Sequence, residues 1–235
     1  MHLIPGKYST RPVKLSQSAG FTLIELMIAL AITGIISAAM YSIFQAQVRG
    51  QVSQDVSLEM TQSLRAAMEM MSSDIRMAGC DPADGGNAQI VTANSNELRV
   101  TMDIGGGPQG QPDGDTTDPN EDVRYAINAT GNLGRAVGGG LLQPIALFCD
   151  VLDFVYIDMN GNPFVPVTAD DRDNVGAIQV STVVRSADIK NPGFLSAYTD
   201  NTSYTNLQGT EILPPPGDTF RRFQLSATIV CRNLQ

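Results

Sequence analysis

The residues of this 235-residue sequence best able to do chemistry are one isolated acid and one cluster of acids. Glu25 stands alone in an apolar run, and a cluster of five carboxylates follows a glycine-rich stretch further along the chain. Carboxylates can pair with a cation, transfer protons or bind calcium. His2 is the only histidine, and it lies in the first residues of the chain. Triads and metal sites built on histidine are therefore disfavoured, and we predict that the protein is not an enzyme.

The clustered acids predict a candidate calcium site. They are Asp113, Asp115, Asp118, Glu121 and Asp122. Calcium takes about six to eight oxygen ligands from such loops. The spacing departs from the EF-hand pattern, because that pattern's glycine and terminal glutamate are missing. Two interpretations stay open, a calcium site and a solvated surface turn, and no other cofactor is predicted.

The apolar run around Glu25 is long enough to cross a membrane. It covers residues 21–44, FTLIELMIALAITGIISAAMYSIF. As a helix it would be about 36 Å long, against roughly 30 Å of hydrocarbon. The basic residues before it are Lys7, Arg11 and Lys14, which favour a cytoplasmic N-terminus. A charge inside such a run costs about 2.5–3.5 kcal/mol, so we expect Glu25 to have a partner.

Residues 1–44 allow three interpretations. A cleaved secretory signal is the first, although an acid in its apolar region would be unusual. A plain single-pass anchor is the second, and it leaves Glu25 unexplained. The third follows from Gly20-Phe21-Thr22-Leu23-Ile24-Glu25. This stretch resembles, residue for residue, the cleavage and methylation motif of type IV pilins and type II secretion pseudopilins.

The resemblance implies how this segment is processed. A prepilin peptidase would cut between Gly20 and Phe21, remove residues 1–20 as a basic leader, and leave Phe21 as an N-methylated terminus. Glu25 of one subunit would then pair with the Phe21 amine of a neighbour. A buried pair adds little net stability but is costly to break, so it would set the register of assembly.

Beyond the apolar run, the pattern predicts an amphipathic continuation of the helix. Apolar residues recur at spacings of three and four, at Val52, Val56, Met60, Leu64, Met68, Met71 and Ile75. We predict one helix from Phe21 to about Ala78, stopped by Gly79 and Pro82. Residues 21–44 form its transmembrane half, residues 45–79 its amphipathic half, and residues 80–235 a globular β-rich domain.

The rest of the chain predicts short strands between turn-rich loops. The candidates are 89–92, 97–103, 122–128, 151–158, 177–185 and 220–231. A helix lying across an antiparallel sheet buries the apolar faces of both. The predicted fold class is therefore α+β, with a long N-terminal helix packed on an antiparallel sheet, which is also the pilin architecture.

The three cysteines predict one disulfide outside the cytoplasm. Cys80, Cys149 and Cys231 allow three pairings. Cys149 begins a predicted strand and Cys231 ends another, which slightly favours that pair if the strands are antiparallel neighbours. Cys80, at the helix exit, is the main competitor.

Several short stretches resemble PilW-type minor pilins. They are residues 73–82, 132–135, 152–156, 220–222 and 231–234. The resemblance implies a structural subunit that helps prime assembly of a type IV pilus and lies at or near its tip. A J-class minor pseudopilin of a type II secretion system is the alternative, and gene neighbourhood would separate the two.

The resemblance also implies partners and a location. The partners are other minor and major pilins, the prepilin peptidase, the inner-membrane assembly platform and a tip adhesin. The location is the inner membrane, with a single span and a periplasmic domain, followed by the extracellular pilus. The net charge of −9 argues independently against nucleic-acid binding.

Overall fold

The structure, a computed structural model, describes residues 20–85, 88–187 and 198–234. The predicted leader therefore lies outside the described residues except for Gly20. The chain divides into two compact units between Gln47 and Val48, and each is described by itself.

One long helix, one short helix and a set of antiparallel strands form the described chain. The two helices are α1 (Leu23–Met77) and α2 (Ala169–Asp173). The strands are β1 (Ile90–Ala93), β2 (Glu97–Thr101), β3 (Asp122–Ile127), β4 (Leu133–Val137), β5 (Gln143–Ala146), β6 (Cys149–Asp158), β7 (Pro163–Phe164), β8 (Val175–Arg185), β9 (Tyr204–Thr205), β10 (Glu211–Leu213) and β11 (Arg222–Val230).

In the first unit, the apolar side chains of α1 are exposed. Leu30 is 66% exposed and Ile35 is 72% exposed. This part of α1 is long and apolar enough to cross a membrane, and none of its most apolar window is buried within the protein. No described residue therefore covers these apolar side chains.

In the second unit, α1 buries one stripe of side chains. The stripe is Met60, Leu64, Ala67, Met68, Met71 and Ile75, in agreement with the predicted amphipathic pattern. These residues share one core with two antiparallel sheets. The first sheet has the order β1-β2-β3-β4-β5 and the second β11-β8-β6-β7, while β9 and β10 form a separate hairpin. The α+β prediction is confirmed, with two main sheets where the sequence predicted one.

The end of α1 is fixed by a glycine. Gly79 has a φ of 78°, a left-handed conformation that ends helices and suits a residue without Cβ. A Cβ at Gly79 would also meet the backbone oxygen of Asn233 at 2.8 Å. The Asn233 amide donates to the carbonyl of Arg76 at 3.0 Å. The helix exit and the C-terminal residues therefore pack together.

The sheet topology corrects the predicted Cys149–Cys231 disulfide. The strands β6 and β11 are not neighbours; they flank β8 and run parallel to each other. Cys149 lies opposite Val184, whereas Cys231 follows Val230, which lies opposite Ala177. The two cysteines are thus separated by most of the length of β8, roughly 20 Å or more, which no disulfide spans. The structure holds no disulfide between the three cysteines, and a bridge that involves Cys80 stays a prediction.

Candidate functional site

The carboxylate of Glu25 caps the start of α1. Thr22 is the residue before the helix, and its backbone N–H donates to Oε2 of Glu25 at 2.8 Å. The Thr22 hydroxyl donates to the same oxygen at 2.9 Å and accepts from the Glu25 N–H at 3.3 Å. This reciprocal pattern is a capping box, which satisfies N–H groups that a helix start leaves free.

Only one oxygen of Glu25 is used in this cap. Both donated bonds reach Oε2, and Oε1 accepts no hydrogen bond from any described residue. The sequence prediction assigned Glu25 to a partner and missed its local role. The signal was present, since Thr22-Leu23-Ile24-Glu25 fits the capping-box spacing. The Glu25 side chain thus caps its own helix through Oε2, and its Oε1 remains able to accept a further hydrogen bond.

The predicted processing residues lie just before this cap. Gly20 and Phe21 precede the first helical residue, Leu23, and both are exposed. Phe21 is 91% exposed, and a side chain at Gly20 would meet nothing. The bond between Gly20 and Phe21 therefore lies in exposed chain just outside the helix.

The acidic loop brings together three of the five predicted calcium ligands. Carboxylate oxygens of Asp113, Asp115 and Asp118 lie within 4.8 Å of one another. Partial desolvation and then the neighbouring carboxylates raise the pKa of Asp118. A Cβ at Gly106 would overlap the Asp118 carboxylate, so a glycine is needed where this group packs on the backbone.

The other two predicted ligands have different partners. Glu121 is fully buried, and its Oε1 accepts from the N–H groups of Ile104 and Gly105 at 2.9 and 2.8 Å. Asp122 forms a two-point ion pair with Arg99, at 2.8 and 2.6 Å. The other oxygen of Glu121 accepts from the N–H of Asp118 at 3.1 Å, so Glu121 shapes the loop from beneath, whereas Asp122 is paired elsewhere; neither belongs to the group of three carboxylates.

Asp103, which the sequence analysis did not single out, organises the same loop. It is fully buried, and its carboxylate accepts from the N–H groups of Asp113 and Gly114 at 3.2 and 3.0 Å. Nothing in the local sequence marks it, because the groups it binds lie ten and eleven residues later. The loop therefore owes its shape to two buried carboxylates, Asp103 and Glu121.

Two further ion clusters tie distant elements of the second unit together. Asp74 of α1 accepts from the Tyr125 hydroxyl at 2.6 Å and from Arg135 at 2.8 Å. Burial, and then the Asp74 charge, raise the pKa of Tyr125 well above its ordinary value. The first cluster attaches α1 to the five-stranded sheet.

The second cluster surrounds Arg222 at the start of β11. Its guanidinium is almost fully buried and pairs with Asp150, Asp200 and Asp218 at 2.7, 3.2 and 2.7 Å. Hydrogen bonds from Arg222 hold the pKa of Asp218 below its usual range. Both clusters are structural in character, because each charged group is matched by partners within the fold.

Comparison with known proteins identifies the N-terminal segment. Residues 15–41 match the family profile of the prokaryotic N-terminal methylation motif. A solved type IV-like pilin from Thermus thermophilus aligns over 74% of this chain and 98% of its own, with 12% identity and a TM-score of 0.49. No curated protein sequence matches significantly. The matched residues include the Gly20–Phe21 bond, the Thr22–Glu25 cap and most of the exposed apolar part of α1, and this segment is therefore similar to the N-terminal methylation motif of prokaryotic proteins.

Proposed function

We propose that the protein is a minor pilin, a structural subunit that helps prime assembly of a type IV pilus and lies at or near its tip. The observation that carries this proposal is the methylation motif at the start of an exposed apolar helix, with one oxygen of Glu25 unused. Its partners would be other minor and major pilins, together with the assembly platform and a tip adhesin. Its role is packing, and no step of it requires catalysis.

The proposed sequence of events starts in the inner membrane. Residues 21–44 hold the subunit there as a single span, with the globular domain in the periplasm. Cleavage after Gly20 creates a cationic amine at Phe21. In a bundle of such helices, that amine of one subunit meets Oε1 of Glu25 on the next. The apolar side chains exposed in the isolated chain are then covered by neighbouring helices in the extracellular fibre.

Processing tests the first step. The full chain is expressed with and without a prepilin peptidase, and its N-terminus is read by mass spectrometry. We expect N-methylated Phe21 with the peptidase and an intact leader without it. A chain that keeps its leader in cells with active peptidase would overturn the proposal.

Substitution of Glu25 tests the second step. Glu25→Ala removes the charge that the amine would meet, so we expect surface pili to fall by at least about tenfold while membrane insertion is kept. Thr22→Val weakens only the cap and should leave most assembly intact. Asp55→Ala, at an exposed acid on the same helix, is the matched control. Normal piliation by the Glu25 variant would refute the pairing.

A further inference from the structure

The chain between Asp200 and Asp218 forms an excursion whose two ends meet. The N–H of Asp200 donates to the carbonyl of Asp218 at 2.8 Å, and the N–H of Gly217 donates back to the carbonyl of Asp200 at 2.8 Å. The Arg222 side chain, which is almost fully buried, pairs with both aspartates. Residues 201–216, which we call the flap, are therefore closed at their base by a firm clamp.

The flap itself buries little of its surface. Within the flap, which the structure describes throughout, Tyr204 is the only buried residue. The Tyr204 hydroxyl donates to Asp200 at 2.9 Å, so this anchor also belongs to the base. The strands β9 and β10 pair with each other and join neither sheet. A segment with so few buried contacts opens at a lower free energy than the core beside it.

Polar side-chain contacts hold the flap over the outer face of the second sheet, the face that points away from the core. Three such hydrogen bonds join flap residues to the sheet. They run from the Asn206 amide to Asp153 at 3.0 Å, from the Gln208 amide to Gln179 at 2.9 Å, and from the Gln224 amide to the carbonyl of Thr205 at 2.6 Å. Water competes well for bonds of this kind, so each adds little to the stability of the closed flap.

The row of the sheet beneath the flap is polar. Ser226, Ser181 and Asp153 lie directly opposite one another on β11, β8 and β6, so their side chains share the outer face. Ser181 is only 1% exposed although it lies on this face. The flap contacts the face on both sides of this serine, at β11 and at β6, and it therefore covers Ser181.

The return limb of the flap is stiff and ends at a flexible residue. It consists of Pro214, Pro215 and Pro216, which have fixed φ angles and no N–H to donate to the sheet. Gly217 follows with a φ of 65°, a left-handed conformation that favours glycine. The change from a stiff limb to a glycine places a pivot beside the clamp.

We propose that the flap is a hinged cover that swings off the outer face of the second sheet as one body. Gly217 is the pivot, and the pairing of Arg222 with Asp200 and Asp218 holds the base in both positions. The polar row that contains Ser181 can then hydrogen-bond to another molecule only while the flap is open. The inference does not depend on the proposed function, because it concerns the globular unit alone.

Thiol labelling of the full chain in detergent tests the opening. Ser181→Cys places a thiol under the flap, while Cys149 and Cys231, which are buried in the core, report unfolding of the whole globular unit. Thr210→Cys, at an exposed position, gives the rate of an uncovered thiol. Iodoacetamide is added, and mass spectrometry reads each cysteine separately. We expect the thiol at position 181 to react at least about tenfold faster than Cys231 and about tenfold slower than the thiol at position 210.

Two results of this labelling would overturn the proposal. Equal rates at position 181 and at Cys231 would mean that only unfolding of the globular unit uncovers the row. A rate at position 181 equal to that of the uncovered thiol would mean that the flap covers nothing. If Ser181→Cys does not fold, Ser226→Cys tests the same row.

Gln208 offers a matched variant for the contact between the flap and the sheet. Gln208→Ala removes the bond to Gln179 and leaves the base intact, so we expect labelling at position 181 to rise about fivefold while Cys231 is unchanged. Thr210→Ala, at an exposed position of the same hairpin, is the control and should leave both rates as they are. Labelling that Gln208→Ala does not accelerate would also count against the flap.

Hydrogen exchange separates a hinged motion from melting of the excursion. The N–H groups of Asp200 and Gly217 belong to the clamp, so we expect both amides to report a higher opening free energy than the thiol at position 181. Equal opening free energies would show that the clamp and the flap melt together, which overturns the hinge. None of these results bears on the Glu25 variants, which test the proposed function by piliation.

Discussion

Residues 23–47 and residues 48–77 belong to the same helix but differ in what covers their apolar side chains. Leu30 in the first part is 66% exposed, whereas Leu64 in the second is fully buried. Both are leucines in regular helix, so helix propensity does not distinguish them. The difference shows that the second part of α1 is covered by the sheets of its own chain, while no described residue covers the first part.

The largest expected effect is a contrast between these two leucines. Leu64→Ala should lower the free energy of unfolding of the globular unit by about 3 kcal/mol, because it leaves a cavity in the core. Leu30→Ala should change that quantity by less than about 0.5 kcal/mol. Denaturant unfolding of the full chain in detergent, followed by tyrosine signals, measures both. Equal losses would remove the distinction between the two parts of α1.

The next effect concerns the attachment of α1 to the five-stranded sheet. Asp74→Ala leaves the Tyr125 hydroxyl and the Arg135 guanidinium without their shared acceptor. Because the pair is partly exposed, we expect a loss of about 2 kcal/mol, below the range for fully buried pairs. Asp55→Ala on the same helix is the control. An unchanged melting temperature for Asp74→Ala would show that this cluster does not stabilise the packing of α1 on the five-stranded sheet.

A smaller effect concerns acid stability of the globular unit. Arg222 holds the pKa of Asp218 below its ordinary value of 3.8. The ionised Asp218 carboxylate therefore contributes fully to the free energy of unfolding above that pH. This contribution is lost as the pH falls through the lowered pKa. Asp218→Asn should make unfolding below about pH 4 less steeply dependent on pH. Asp173→Asn, at an exposed carboxylate, should leave this pH dependence of unfolding unchanged. The same pH dependence in both variants and in the unsubstituted protein would contradict this account.

The smallest expected effect is that of calcium on the acidic loop. A three-carboxylate site with a Kd of about 1 mM would add about 0.4 kcal/mol at about 1 mM calcium. We expect a small rise in melting temperature that Asp115→Asn removes. Calorimetric titration checks the heat of binding. No heat and no shift would leave the loop as a solvated turn shaped by Asp103 and Glu121.

Much of the fold could be predicted because its signals are local. The spacing of apolar residues predicts the stripe of α1 and six of the strands, and turn residues such as Gly79 predict where these elements end. The strands β4 and β5 were missed because Gly134 and Pro144 interrupt their alternation. The failed cysteine pairing has a different cause: strand order is set by contacts between distant residues, which one sequence does not display.

The candidate sites divide in the same way. Glu25 was found because a charge is energetically costly inside an apolar run, and such a run is a local property of the sequence. Glu121 and Asp122 were grouped with three other acids because they are adjacent in sequence. Glu121 lies in the turn before β3, whereas Asp122 is the first residue of that strand, so the two have unrelated partners. Arg222 gave no signal, because two of its three aspartates lie 72 and 22 residues away.

The separation of α1 and β11 along the sequence has a consequence for biosynthesis. The stripe on α1 is made well before Ile229 and Cys231, which help to complete its core. At the usual rate of translation, roughly 10–30 s pass between the two. During that interval the core of the globular unit cannot be completed, so the stripe on α1 stays without part of its native cover.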